Sequence, residues 1–305
     1  MNLNDLHKYL PSLKHVTEMT RITKGFSFDG KYFLYENSHI PAYVLRTSPL
    51  DQIQKKRAEF DVVANVYAKG VKTSEPIAFG SIPTLDICYM LLIYVEGEDA
   101  SDILPSLTDD EQFHIGLEAG RELRLMHDLP APHVEDWYEK RFSKHNRQYE
   151  NYRNCGVTLP EEEAVLSFIH KHANDMQNRP NRFQHDDFHT SNLLIHNRSY
   201  AGAIDYNRYD WGDPYHDFLK VAYFSREVSI PFCRGQILGY FDGTVPDEFW
   251  RLYALYTAMI IFPTITWTLQ VVPEQLASML DRIHVVLDDH HNFETCIPNW
   301  FTLSN

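Results

Sequence analysis

The chain has 305 residues, 44% hydrophobic and 23% charged, close to the globular average, which excludes wholesale disorder. Its 28 lysines and arginines against 42 aspartates and glutamates give a net charge of −14, which argues against a nucleic-acid-binding protein of the usual basic kind. At roughly 150 residues per domain the length corresponds to about two domains, or one domain with two lobes.

The N-terminal stretch MNLNDLHKYLPSLKHV has no apolar run of the signal-peptide type. Residues 1–95 read as mostly β with one helix. FSFDGKYFLYE and PAYVLRT alternate and are rich in aromatic and branched side chains, as strands are. Residues 51–69 place Ile53, Phe60, Val63 and Val66/Tyr67 at helical spacings, with Ser48 and Asp51 as N-cap candidates. SEPIAFGSIP and DICYMLLIYV read as two further strands, the second apolar enough to be buried.

The character changes at Glu96-Gly97-Glu98. Residues 107–127 open on Thr108-Asp109-Asp110-Glu111, a capping-box arrangement. Residues 136–155 and 160–175 are also helical in pattern. A short β-like insert follows at 192–206, with NLLIH and AGAIDY as its strands. Helices dominate again from 216 onward. Residues 252–272 carry no charge and are long enough to span a bilayer. Their threonines, Gln270 and Pro263 favour two packed core helices broken near Pro263. Cys88, Cys155, Cys233 and Cys296 are far apart and form no CxxC pair, which favours separate thiols and a cytoplasmic location over a disulfide framework or structural zinc. The expected division is a nucleotide-binding lobe at 1–95 and a helical lobe at 96–305.

The segment His185-Asp186-Asp187-Phe188-His189-Thr190-Ser191-Asn192, followed by Asp205, carries the chemistry. Phosphoryl transfer needs one carboxylate to orient or deprotonate the attacking hydroxyl. It also needs an oxygen ligand and a second carboxylate to hold Mg²⁺ on the phosphates. Asp187, Asn192 five residues on, and Asp205 have the spacing of a kinase catalytic loop and its downstream metal aspartate.

These residues resemble the aminoglycoside phosphotransferase family, relatives of the protein kinases that phosphorylate small molecules. His185-x-Asp187-x-x-x-x-Asn192 resembles its catalytic loop. Ile204-Asp205-Tyr206, with Gly212-Asp213-Pro214 and Asp217, resembles its metal-binding segment and the following turn. Leu92 to Gly97 resembles its hinge, and Tyr43-Val44-Leu45-Arg46 with Glu59 its phosphate-binding strand and paired helix. The resemblance spans residues 20–270. It implies an α+β, protein-kinase-like two-lobed fold with ATP between the lobes. The adenine would meet the backbone near Tyr94 and Val95, and Arg46, held by Glu59, would meet the phosphates. Asn192 and Asp205 would hold Mg²⁺, and Asp187 would serve as catalytic base. Two residues depart from the pattern: Asp186 replaces a frequent glycine, and Arg46 stands where lysine is common. Asp tolerates unusual backbone angles, and arginine still pairs with phosphate and carboxylate.

Rival readings attach to two segments. Gly25 to Tyr32 nearly matches a P-loop, but Tyr32 replaces the required hydroxyl residue and a strand follows. A loop over the nucleotide phosphates, with Ser27 as donor, fits better; a plain hairpin is the bland reading. His185 and His189, four apart, could belong to a metal-dependent hydrolase if the segment were helical. Asp213 and Asp217 suit turn, cap or loop-anchoring roles, and Glu135, Asp136 and Glu139 a helix start. The expected function is ATP-dependent transfer of the γ-phosphate to a hydroxyl of a small molecule, of the aminoglycoside antibiotic type. Alternatives are a metabolite kinase (choline, homoserine or a sugar) and a catalytically silent nucleotide-binding module. The expected partner is a small molecule that the acidic balance would suit if cationic, with neither nucleic acid nor membrane.

Overall fold

The computed structural model describes residues 1–23 and 29–302. The fold is α+β. Its strands are β1 (Glu18–Ile22), β2 (Gly30–Tyr35), β3 (Tyr43–Pro49), β4 (Pro76–Ile82), β5 (Ile87–Ile93), β6 (Glu98–Asp99), β7 (Arg182–Gln184), β8 (Leu193–His196), β9 (Ser199–Ala203) and β10 (Asp210–Gly212). Its helices are α1 (Leu3–Tyr9), α2 (Ile53–Ala68), α3 (Ala100–Ile103), α4 (Asp109–His127), α5 (Trp137–Arg153), α6 (Glu162–His172), α7 (Arg226–Val228), α8 (Ile230–Tyr240), α9 (Asp247–Val271), α10 (Leu276–Asp289) and α11 (Asn299–Thr302). The chain packs as two compact units. One comprises Met1–Glu98 and Leu193–Asn207, the other Asp99–Asn192 and Arg208–Asn305.

The first unit is built on an antiparallel sheet of order β1-β2-β3-β5-β4. Its core forms where α1 and the turn after it set Leu6, Leu10, Leu13 and Val16 against Leu34, Leu45 and Leu91. The opening helix is absent from the sequence reading. Its signal is the Asn2/Asp5 capping box, in which each side chain bonds the other's backbone amide. On α2 the buried side chains are Lys56, Glu59, Val62, Val63 and Val66, so two charged residues share the inner face while Tyr67 stands exposed. Neither Ser48 nor Asp51 caps α2. The cap position is Gln52 without a side-chain bond, and the Ser48 hydroxyl donates to Asp29 instead at 2.7 Å. The β8–β9 hairpin joins this unit through Ala203, whose N–H donates to the Lys72 carbonyl at 3.0 Å while the Thr73 hydroxyl donates to its carbonyl at 2.8 Å.

In the second unit the Thr108–Glu111 capping box forms as expected and starts α4. Asp136 caps α5 through the Glu139 amide. Gly116 and Gly120 of α4 face Gly235 and Gly239 of α8. A Cβ at any of the four would run into the opposite helix backbone, at Phe232, Gln236, Phe113 or Leu117. The expected break near Pro263 does not occur: α9 runs unbroken from Asp247 to Val271 with Pro263 inside it. A proline there leaves the carbonyl four residues back, Met259, without its helix donor. The buried His145 ring of α5 lies against that backbone group. By length and composition α9 could cross a membrane, but 78% of its most apolar window is buried inside the protein, as in a core helix.

Candidate active site

Residues 185–189, after β7, are not helical, so His185 and His189 do not share a helix face. The His185 ring packs edge-on against Phe188, at 5.7 Å between ring centres, and the His189 ring stacks on Phe224 at 4.8 Å. The loop is pinned from below by Asp217, whose carboxylate accepts the His185 amide at 2.8 Å and the Asp186 amide at 2.7 Å. Asp217 is buried and also meets His127 Nε2 at 3.1 Å, while His127 Nδ1 meets the Tyr240 hydroxyl at 2.9 Å. Asp186 takes a left-handed backbone conformation, with φ of +56°, the geometry that a glycine usually supplies and that aspartate tolerates. Asp213 accepts Tyr215 N–H at the start of a 3₁₀ turn and also binds Arg179 and Tyr256, a structural assignment.

After this turn Asn192 folds back onto Asp187. The Asn192 amide donates to the Asp187 carbonyl at 2.9 Å and to its carboxylate at 3.1 Å. Lys220 Nζ donates to the other carboxylate oxygen at 2.8 Å. Burial would raise the Asp187 carboxyl, but the His189 hydrogen bond and the Lys220 charge outweigh it and hold the group well below the usual carboxylate range. Burial likewise opposes ionisation of Asp186, which His216, Lys220 and Arg141 bring down to about 2. The Asn192 NH₂ is committed to Asp187, so its amide oxygen is the atom left for a ligand.

In the first unit Arg46 is 7% exposed and donates to Glu59 at 2.7 Å. The same guanidinium reaches Asp29 at 3.0 Å and lies 3.7 Å from Asp205. Lys56 bonds Asp29 at 2.6 Å and Glu59 at 3.1 Å. Lys31, opposite Arg46 in the β2–β3 register, donates to Asp205 at 3.0 Å. Asp205 lies just beyond β9 with φ of +68°. Tyr94 N–H is taken by the Ala42 carbonyl at 3.0 Å. Among the described residues Val95 makes no backbone–backbone hydrogen bond. Ser27 lies outside the described residues, with the other residues of 24–28.

The structure brings the sequence candidates Asp187 and Asn192 together and, separately, Arg46, Glu59 and Asp205; Lys220, His127, Lys31 and Lys56, which contact these residues or the loop's anchor, were not among the candidates. Lys56 was legible in principle, since it lies three residues before Glu59 on α2. Lys220 and His127 are 33 and 90 residues from their partners, and no local pattern marks them. The amide oxygen of Asn192 and the carboxylate of Asp205 are hard oxygen donors, the kind that suits Mg²⁺. Among the described residues no group of three or more His, Cys, Asp or Glu side chains is arranged to hold a metal by itself.

The family model of the phosphotransferase enzyme family (APH) matches residues 18–252. Among solved structures, the gentamicin complex of APH(2")-IIa is similar with a TM-score of 0.67 at 15% identity, covering 93% of this chain and 97% of that one. The ADP-bound aminoglycoside phosphotransferase APH(2")-Ib gives 0.66 at 15% identity, over 92% and 97% of the two chains. The GDP and kanamycin complex of APH(2")-IIIa gives 0.68 at 13% identity, over 92% and 96%. These likenesses establish the fold. No curated protein matches the chain by sequence.

Proposed function

The chain belongs to the phosphotransferase enzyme family, and we propose that it transfers the γ-phosphate of ATP to a hydroxyl group of a small molecule. The observation that carries this reading is Asp187, an ionised carboxylate with Lys220 on one oxygen and Asn192 on the other. Such a group accepts a hydrogen bond from the acceptor hydroxyl and aims its lone pair at phosphorus. Its depressed pKa makes it a weak base, so it takes the proton late, when the hydroxyl has become acidic in a loose transition state. Lys220 faces the same space with a positive charge that offsets charge developing on the phosphoryl oxygens.

In this reading Arg46 binds the ATP phosphates, oriented by Glu59, and Lys56 balances the acids around it. The adenine is read by the Val95 backbone, since the Tyr94 donor is already used. Asn192 Oδ1 and the Asp205 carboxylate are the oxygen donors that would hold Mg²⁺, which would supply positive charge against the phosphates.

Two acceptor classes follow. Aminoglycosides are supported by solved relatives whose complexes contain gentamicin and kanamycin, and that acceptor would make the chain a cytoplasmic antibiotic-resistance kinase. A metabolite kinase is favoured by one observation, the basic face of α5 beside the catalytic loop. The reaction class is tested by coupled ADP release with ATP and Mg²⁺ over aminoglycosides, choline, homoserine and sugars. Asp187→Asn should lower kcat by about 10²–10⁴-fold and leave nucleotide affinity nearly unchanged. Near-normal turnover in that variant would sink the assignment.

A further inference from the structure

We infer that the acceptor carries an anionic group, a carboxylate or a phosphate, and that Arg141 and Lys144 of α5 bind it. The inference rests on the phosphotransfer reading above. In a chain of net charge −14, α5 holds Lys140, Arg141, Lys144, His145 and Arg147. Trp137, Arg141, Lys144 and Gln148 recur at helical spacing and share one face.

That face stands beside the catalytic loop. The Trp137 ring meets His216 edge-on, with ring centres 5.4 Å apart. His216 Nδ1 is in turn 3.3 Å from the Asp186 carboxylate. Lys140, next to Arg141, bonds Asp210 at 3.0 Å and the Trp211 carbonyl at 3.2 Å. Asp210 pairs across the β7–β10 ladder with Gln184, the residue that leads into the loop.

Arg141 is only 4% exposed, and its Nε and Nη2 are enclosed without a hydrogen-bond partner. Asp186 and Asp210 act on its charge from a distance, but among the described residues no carboxylate pairs with it. Enclosing these guanidinium donors without an acceptor is unfavourable, since nothing replaces the water they have lost. A bidentate anion would supply the missing acceptors. Lys144 is exposed, yet desolvation, and then the Arg141 charge, push its ammonium below the ordinary lysine range. No described carboxylate pairs with Lys144 either. The local charge at this face is therefore opposite to the bulk charge that suits a cationic acceptor.

The test begins with the full chain saturated with Mg²⁺ and a non-hydrolysable ATP analogue, so that the nucleotide site is filled. Inorganic phosphate and D-glycerate are then titrated calorimetrically, which separates phosphate from carboxylate recognition. The wild type should bind at least one of them. Arg141→Gln and Lys144→Gln should each weaken that affinity about tenfold or more, as loss of a charge-assisted hydrogen bond does, while Arg141→Lys retains part of it. Lys144 is exposed, so its variant stays informative if the Arg141 variants fold poorly. Absence of anion binding, or affinity unchanged in Lys144→Gln and in a folded Arg141→Gln, overturns the inference. So does turnover of kanamycin with KM unchanged in Lys144→Gln, an outcome that leaves the phosphotransfer reading intact. Failure to bind the ATP analogue would instead remove the phosphotransfer reading, and the anion titration would still decide the subsite.

Discussion

Asp217 accepts the backbone N–H of Asp186 at 2.7 Å, and with its second oxygen it accepts that of His185 at 2.8 Å. One buried carboxylate thus fixes two successive peptide groups immediately before Asp187 and helps to hold Asp186 in its left-handed conformation. Asp217→Asn keeps the shape but replaces one acceptor oxygen with a donor facing an amide. Hydrogen bonds to a charged group are worth roughly 1.5–3 kcal/mol. We expect a loss of stability of that order in urea unfolding. We also expect a fall in kcat larger than any change in KM for ATP, because the change acts on where Asp187 points. An unaltered kcat in a folded variant would show that the loop holds its geometry without this anchor.

Lys220 provides a pH-dependent test. Its ammonium lies 2.8 Å from Asp187 and is one of the charges that hold the carboxyl below its ordinary range against burial. Lys220→Met removes the opposing charge while burial continues to raise the pKa. The acid limb of kcat/KM should therefore move to higher pH. The stability from ionised Asp187, present above the unfolded carboxyl pKa and lost as pH falls through the folded value, should shrink. Steady-state profiles from about pH 5 to about pH 8 measure the first effect. An acid limb that stays in place would mean that His189 alone sets the ionisation of Asp187.

Most of the fold was legible because it rests on local signals. The Thr108 capping box, the alternation in β2 and β3, and the apolar run of β5 each depend on neighbours a few residues apart. The spacing from Asp187 to Asn192 was legible for the same reason, since a short turn returns the asparagine to the aspartate. Residues that support these were not legible. Asp217, 31 residues beyond Asp186, was open to several roles, and His127 looked like any other histidine until α4 was placed against α8. The break expected at Pro263 is absent in a helix whose most apolar window is 78% buried, packing that the local sequence does not display.

The Arg46 cluster should respond to loss of a single acid. Glu59 is 1% exposed and takes one cation on each oxygen, Arg46 and Lys56. Glu59→Gln leaves those cations sharing Asp29, and breaking a buried pair from one side costs about 3–5 kcal/mol. KM for ATP should rise with it, since Arg46 loses its orienting partner. Acid titration gives a second readout. Burial alone would raise the Asp29 carboxyl, but hydrogen bonds from Lys56 and Ser48 bring it down to about 2. Its contribution is present above the unfolded value near 3.8 and is lost as pH falls toward 2. Lys56→Met should bring that loss to higher pH, and an unchanged acid midpoint would count against the cluster.

The pairing of His145 with Pro263 can be isolated by a double-mutant cycle. His145 is 2% exposed and its ring lies against the Met259 backbone group, whose helix donor is missing because residue 263 is proline. His145→Phe fills similar space but cannot donate, so it leaves that carbonyl unsatisfied at a cost of about 1–3 kcal/mol. Pro263→Ala restores a helix N–H for the same carbonyl, so the cost of His145→Phe should be smaller in that background. A coupling of about 1 kcal/mol or more is expected. Desolvation, and then the Arg141 charge, depress the His145 imidazole to about 4. Between that value and the ordinary 6.5 the unfolded chain binds a proton that the folded chain does not. The stability tied to neutral His145 is thus complete above about pH 6.5 and declines as pH falls toward 4. His145→Phe should flatten that part of the urea-stability profile, and additive double-mutant energies would show that the histidine and the proline act independently.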